Sequence, residues 1–341
     1  MQQNRAWIRT DILRANAQYF RSRSKGAALC AVVKADGYGH GAAMTAQALS
    51  GVADMYAVSL VEEGARLRQA GIGEDILVLT PPLTEEEVVR GAHYGLLFTV
   101  GDGADYALLA RVSEKCGFCT RCHIKVNTGM NRYGFSMAEF RAFVRGRLSD
   151  FVQAEGIYSH FYRPEDGAVT RAQYERLLVF CRLAERTFGK LVRHISATGG
   201  VLASEDYCLD MVRVGIGIYG YLPSGFSLPE GTIRPAMRID STVAAVHRYR
   251  FGGAGYGSYV PKSRQLSTVR TGYADGFFRC MQGANNLCMD ARVAEISAKK
   301  YDDVCVFSDA DAYAAAHGTI SYEALVRIAG RAVKMYVDGE R

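Results

Sequence analysis

Among the residues of this chain, Lys34 has the type and position that most invite chemistry. It ends an apolar run, LCAVVK at 29–34, and a glycine-rich turn follows it, DGYGHG at 36–41. A lysine closing a buried strand sits where burial disfavours its charge. A lysine with a lowered pKa is what Schiff-base chemistry with a carbonyl requires. Taken alone, the same position is also an ordinary solvated strand end. A second group is the C-x2-C-x2-C array of Cys116, Cys119 and Cys122, with His123 next in line. Such spacing can open a zinc or iron–sulfur site. No fourth cysteine follows at ferredoxin spacing, however, and Cys122 begins an apolar strand on which His123 faces the other way. The array reads as a thiol-rich turn, and no metal is expected.

The elements that must position Lys34 follow a regular order. Short apolar runs at 29–34, 55–59, 76–80, 96–100, 123–126, 156–159, 193–196 and 211–218 have the length of buried parallel strands. Helical patterns lie between them at 41–50, 61–70, 84–91, 102–115, 137–147 and 171–188. Thr84 with Glu87 three residues on forms a capping-box signature. Eight strands, mostly each followed by a helix, predict a (β/α)8 barrel over about residues 10–225. From residue 237 onward the runs at 241–249, 265–271, 292–297 and 304–308 are strand-like. A helix at 322–329 and a strand at 332–337 end the chain. The expected fold is thus α/β, a TIM-like barrel followed by a mainly β domain, divided into residues 1–225 and 226–341.

Composition narrows the function classes. The 341 residues are 49% hydrophobic and 22% charged, with a net charge of +6, an ordinary globular balance. No Lys/Arg block supports nucleic-acid binding, while small anionic substrates are tolerated. No stretch approaches the roughly 18 apolar residues of a membrane span, and residues 1–10 lack a signal peptide's apolar core. Nine cysteines, an odd number placed mostly within elements, fit a reducing cytoplasm better than a disulfide framework.

The string AVVKADGYGHG at 31–41 closely resembles the cofactor-lysine motif of alanine racemases. Further segments are similar to that family in the family's own order: KVNTGMNR at 125–132, YSHF at 158–161, HISAT at 194–198, MVRVGI at 211–216, GYG at 255–257, GYADG at 272–276 and CMD at 288–290. The resemblance covers nearly the whole chain. It implies a fold-type III pyridoxal 5′-phosphate enzyme acting on a small amino acid, with a barrel, a C-terminal β domain and a head-to-tail homodimer.

The resemblance also implies roles. Removing a Cα proton needs an electron sink, which the cofactor supplies, and racemisation needs a base on each face. Lys34 would serve one face and Tyr256, reaching across from the partner subunit, the other. Tyrosine is a poor base at its free pKa of about 10, and the family places a histidine matching His160 beside it. Arg213 resembles the arginine that meets the pyridine nitrogen. A guanidinium keeps its proton, so the ring becomes a weaker sink and simple reprotonation is favoured. Tyr38, Thr198 and the N–H groups of Gly215 and Ile216 match the phosphate cup, with threonine where serine is usual. Arg132 would contact the ring hydroxyl and lie near the substrate carboxylate, which the N–H of Met289 would also face. His194, Lys125 and Asp290 would stand behind these groups; Lys125 matches a lysine often carbamylated in the family.

Two family segments are missing here. Only residues 277–287 separate Gly276 from Cys288, where a β-hairpin is usual, and Gly330 runs directly into Arg331 without the loop that carries a phosphate-contacting tyrosine. Four other readings compete with alanine racemase. They are a serine or serine/alanine racemase domain of the type that follows a membrane domain, a fold-type III decarboxylase, a non-enzymatic cofactor carrier, and a binding or scaffold protein that has lost catalysis.

Overall fold

The structure is a computed structural model, and it describes residues 4–256, 260–279 and 286–339. Gly257 and residues 280–285 of the shortened segment lie outside the described residues, as does the start of the N-terminal stretch. The chain divides into two compact units. One comprises Leu13–Gly37 and Ala42–Ile233; the other comprises Met1–Ile12, Tyr38–Gly41 and Arg234–Arg341.

The second unit begins with β1 (Arg5–Arg9), described below. The first unit is a parallel barrel of β2 (Ala28–Val32), β3 (Met55–Val58), β4 (Asp75–Val78), β5 (Leu97–Val100), β6 (Thr120–Lys125), β7 (Val152–Tyr158), β8 (Val192–His194) and β9 (Met211–Val214). The strands pair in the order β8-β7-β6-β5-β4-β3-β2-β9. Between β8 and β9, Arg213 N–H donates to Ser196 O at 2.9 Å and Asp210 N–H to Arg193 O at 3.1 Å. Most residues of these strands are buried, β8 and the start of β7 apart, which is why they read as continuous apolar runs. Helices cover them, including Val61–Gln69, Glu85–His93, Gly103–Cys116 and the long Gly167–Phe188.

Thr84 caps the helix Glu85–His93 by accepting from Glu87 N–H, but the expected box does not close: the Glu87 carboxylate accepts from Leu83 N–H at 2.6 Å instead. Cys122 is buried in β6, and burial pushes its thiol up to about 12, whereas Cys116 and Cys119 are exposed. Among the described residues no group of His, Cys, Asp and Glu is arranged to hold a metal ion.

The second unit is built on a mixed sheet. The long β10 (Met237–Arg248) pairs antiparallel with β1, with β11 (Gln265–Val269) and with β13 (Asp303–Phe307); β12 (Arg292–Ala294) extends β11. β14 (Val333–Val337) runs parallel to β1, with Arg5 opposite Val333. Two short helices, Ala310–His317 and Ser321–Ile328, pack on this unit. The segment Tyr38–Gly41 belongs to it as well: the Tyr38 ring lies 6.2 Å from that of Tyr322, and Tyr336 Oη donates to His40 O at 3.1 Å. Among the described residues no helix is long and apolar enough to cross a membrane.

Candidate active site

Lys34 stands two residues beyond the end of β2, and the backbone that follows turns left-handed. Ala35, Asp36, Gly37 and Tyr38 have φ of 52°, 53°, 62° and 51°. For L-residues other than glycine this region costs roughly 1–2 kcal/mol each, so the turn must be held by its surroundings. Gly37 N–H donates to Val33 O at 2.8 Å, the Asp36 carboxylate accepts from Ala42 N–H at 2.9 Å, and the Glu63 carboxylate accepts from Ala35 N–H at 2.7 Å. The sequence shows a strand ending in lysine; the structure shows a lysine launched from a strained turn. Burial, then the charge of Arg132, lower the Lys34 pKa, and Glu63 opposes them.

Arg213 occupies the third position of β9, opposite Cys30 of β2, and is buried. Its Nη1 lies 2.5 Å from His194 Nδ1, and its Nη2 donates to Ser159 O at 2.7 Å. Nη2 is also 3.3 Å from His160 Nδ1. His194 Nε2 in turn lies 2.8 Å from His123 Nδ1. Burial first, then the Arg213 charge, hold His160 and His194 well below the ordinary histidine value, and the same causes bring His123 down to about 3. Gly156 makes room for this chain, because a Cβ there would sit 2.7 Å from the His123 ring.

Lys125 ends β6 and is buried, so the solvated alternative that its sequence position allows does not apply. Burial, then Arg213 and Arg132, hold its pKa well below the usual value. Its Nζ sits 4.5 Å from the centre of the Tyr158 ring, whose other cationic neighbour is the Arg213 guanidinium at 5.0 Å. Tyr158 also stacks on His194 at 4.7 Å and bonds Thr99 Oγ1 at 2.7 Å. Thr99 Oγ1 donates its one proton to Val78 O, so Tyr158 is the donor to Thr99. Tyr158, Thr99, Glu63 and His123 have parts in the site that sequence reading did not assign. The adjoining strand register, Thr99 opposite His123 and Lys125 opposite Tyr158, is what brings them together.

Arg132 is exposed and rides on a loop pinned at its base, where Phe135 N–H donates to Lys125 O at 3.0 Å and Asn127 N–H to Phe135 O at 2.9 Å. The pin requires Gly134, at φ 113°, since a Cβ would lie 2.7 Å from the Val126 carbonyl carbon. After β9, Gly215 leads into the 3₁₀ turn Ile216–Tyr219, whose first N–H groups have no carbonyl within the turn to bond. Thr198 Oγ1 is 3.3 Å from Gly217 N, on the buried side of this turn. Such a donor set suits a phosphate. The barrel thus gathers Lys34, Lys125, Arg132, His160, His194, Thr198, Arg213, Gly215 and Ile216. Two arginines and two lysines stand among them, a set suited to an anionic ligand.

Tyr38, Tyr256, Met289 and Asp290 belong to the other unit. Tyr38 is buried, and burial raises its pKa. Tyr256 and Met289 are 62% and 58% exposed. Met289 O accepts from Ala274 N–H at 2.8 Å, which ties CMD to GYADG; a Cβ on Gly272 would sit 2.3 Å from that oxygen. Asp290 is exposed beside it. At the second shortened segment, the helix Ser321–Ile328 passes to β14 through a tight turn in which Ala332 N–H donates to Ala329 O at 3.3 Å.

A (β/α)8 barrel with a desolvated lysine after its first strand, an arginine fixed in its last and a glycine-led 3₁₀ turn beyond it is the arrangement of the fold-type III pyridoxal-phosphate enzymes. Residues 8–223 match the alanine racemase N-terminal domain and residues 236–336 the alanine racemase C-terminal domain. The chain belongs to the alanine racemase family, and it is a pyridoxal-phosphate-dependent amino-acid racemase. It is 32% identical to an alanine racemase of Desulfovibrio desulfuricans over 97% of this chain and 98% of that one. Identity to the Thermobifida fusca alanine racemase is 31%, over 98% of each. The structure superposes on alanine racemase from Streptomyces coelicolor with a TM-score of 0.88 at 28% identity, covering 99% and 98% of the two chains. For that of Clostridium difficile the score is 0.86 at 28% identity, covering 99% and 96%.

Proposed function

We propose that the chain interconverts L- and D-alanine as a cytoplasmic homodimer, with Lys34 as the base on one face of Cα and Tyr256 of a second copy as the base on the other. The lowered pKa of Lys34, launched from a held turn among fixed cations, is the observation that carries this reading. When bound, the cofactor supplies the electron sink that makes the Cα proton removable. Lys34 would hold it covalently and, when not so engaged, would accept or return a proton at its Nζ. Arg213 is oriented by His194 and Ser159, and it would serve the cofactor ring as a donor that keeps its proton. Tyr38, Thr198 and the N–H groups of Gly215 and Ile216 hold the phosphate. Arg132 and the N–H of Met289 orient the substrate carboxylate, with Lys125 and Asp290 behind them.

His160 has its Nδ1 engaged by Arg213, which leaves its proton on Nε2. That N–H is a donor for a phenolic oxygen, which is how a tyrosine is made a usable base. The exposure of Tyr256 supports its service to another subunit, with residues 226–341 as the domain that delivers it. The free thiols of the eight described cysteines support a reducing compartment.

The test has two parts. Borohydride reduction of the coloured holoenzyme should fix the cofactor on the Lys34 peptide, and Lys34→Ala should abolish that link; cofactor trapped on another lysine refutes the assignment. Incubation with L-Ala and with L-Ser, followed by chiral chromatography, should give D-Ala in preference to D-Ser. Preferential D-Ser, an amine product, or no turnover would point respectively to a serine racemase, a decarboxylase or an inert carrier.

A further inference from the structure

We propose that Glu63 is a positioning residue for Lys34, and that it sets the geometry of the turn behind the lysine. This rests on Lys34 being the cofactor lysine. Glu63 lies in the first turn of the helix Val61–Gln69, directly after β3. Its two oxygens serve three backbone donors: Oε1 accepts from Ala35 N–H at 2.7 Å, and Oε2 accepts from Ser59 N–H at 2.7 Å and Leu60 N–H at 3.1 Å. One carboxylate therefore ties the residue after Lys34 to the end of the neighbouring strand.

The residue type matters. An ionised carboxylate accepts at both oxygens, whereas an amide must turn a donor toward one of these N–H groups. Charge also strengthens each bond. The Ala35 bond falls on the first residue of the left-handed stretch, where the backbone is least able to hold itself. Among the described residues, Glu63 favours the protonated form of Lys34, against Arg132 and Arg213. A lysine facing only those cations would be a weak base for a Cα proton. Glu63 therefore favours the protonated lysine where those cations oppose it.

A control exists in the same barrel. Glu87 caps the next helix in the same style, accepting from Leu83 N–H at 2.6 Å. The experiment compares Glu63→Gln, Glu63→Asp and Glu87→Gln. The Lys34 pKa is read in cofactor-free protein by competitive acetylation across pH with peptide mass spectrometry. Pyridoxal-phosphate affinity is read by absorbance titration.

Glu63→Gln should lower the Lys34 pKa and weaken the cofactor by about tenfold to a hundredfold, the scale of a charged hydrogen bond. Glu63→Asp keeps the charge but draws it back, so it should hold the lysine pKa nearer to wild type while still losing affinity. Glu87→Gln should change neither. Matching profiles for Glu63→Gln and Glu87→Gln would overturn the proposal. If Glu63→Gln does not fold, wild-type affinity in Glu63→Asp overturns it instead. The acetylation readout needs no cofactor, so it fails independently of the cofactor assignment, which borohydride mapping of the wild-type protein decides.

Discussion

Arg213 donates to His194 Nδ1 at 2.5 Å, and this single contact orients a chain of protons. A guanidinium has no lone pair to offer, so Nδ1 of His194 carries none of the ring's protons. His194 is then protonated at Nε2 and donates to His123 Nδ1, which leaves the His123 proton on Nε2. The hydrogen-bond network assigns these tautomers. Both rings are neutral, and the positive charge next to them is that of Arg213.

Neutral buried histidines make an acid-stability prediction. His123, His160 and His194 all have folded pKa values below the unfolded value of 6.5. Below pH 6.5 the unfolded chain binds protons that the folded chain refuses, so stability falls as pH drops, for His123 down to about 3. Each such group adds up to about 1.4 kcal/mol per pH unit. Urea unfolding at pH 7.5, 6.5 and 5.5 should show little change over the first step and a steep loss over the second. His123→Gln should flatten that loss by about one proton. A pH-independent midpoint would mean that the rings ionise in place.

Lys125 carries a further prediction. Burial and the nearby arginine charges lower the Lys125 pKa and so favour its uncharged, nucleophilic form. With 13C-bicarbonate the protein should show a carbamate resonance by NMR, absent in Lys125→Ala. Adding the carbamate's negative charge would relieve the crowding of Lys125 against Arg132 and Arg213. No resonance would leave Lys125 as an amine, and Lys125→Met should then raise the Tm by replacing a buried polar group with an apolar side chain of similar length.

Gly134→Ala tests the pin beneath Arg132. The substitution places a Cβ 2.7 Å from the Val126 carbonyl carbon at a φ of 113°. It should cost about 1–3 kcal/mol and displace Arg132, raising KM for alanine more than it lowers kcat. Scanning calorimetry and steady-state kinetics check both. An unchanged KM would separate Arg132 from substrate binding.

Tyr256→Phe should split the two half-reactions. With Lys34 intact, α-proton exchange of one enantiomer with D2O should continue while that of the other falls by roughly 10²–10⁴-fold. The family assigns the D-enantiomer to the lysine, so L-alanine should lose exchange in proton NMR. Mixing Lys34→Ala with Tyr256→Phe subunits should restore activity in one site of each heterodimer. Equal loss from both enantiomers would assign Tyr256 a structural task, and no recovery in verified heterodimers would rule out a shared site.

The barrel was legible because most residues of its strands are buried. Each was found to within a few residues, although β7 begins at Val152 where the apolar run begins at 156. The half-exposed start of β7 carries no continuous apolar signal. β1 was missed for a related reason: it is five residues long, and only the alternation in RAWIR marks it. The helix Ala310–His317 went unread despite an Asp309 cap and Gly318 at its end. Residues with a motif of their own, such as Lys34 and Arg213, could be named in advance. Tyr158, Thr99 and Glu63 could not, because their importance lies in contacts that exist only once strands are in register.

The pairing of β1 with β14 bears on the order of synthesis. Residues 5–9 wait for residues 333–337 before their parallel partner exists, and closing so long a loop is slow. The barrel strands end at residue 214, so on a translating ribosome they can be complete while the second sheet still lacks an edge. Until then β1 is a strand with an open flank, a period in which a chaperone or a neighbouring nascent chain competes for it. A circularly permuted gene that connects the end of β14 to the start of β1 through a crossover linker, as parallel strands require, would shorten that wait.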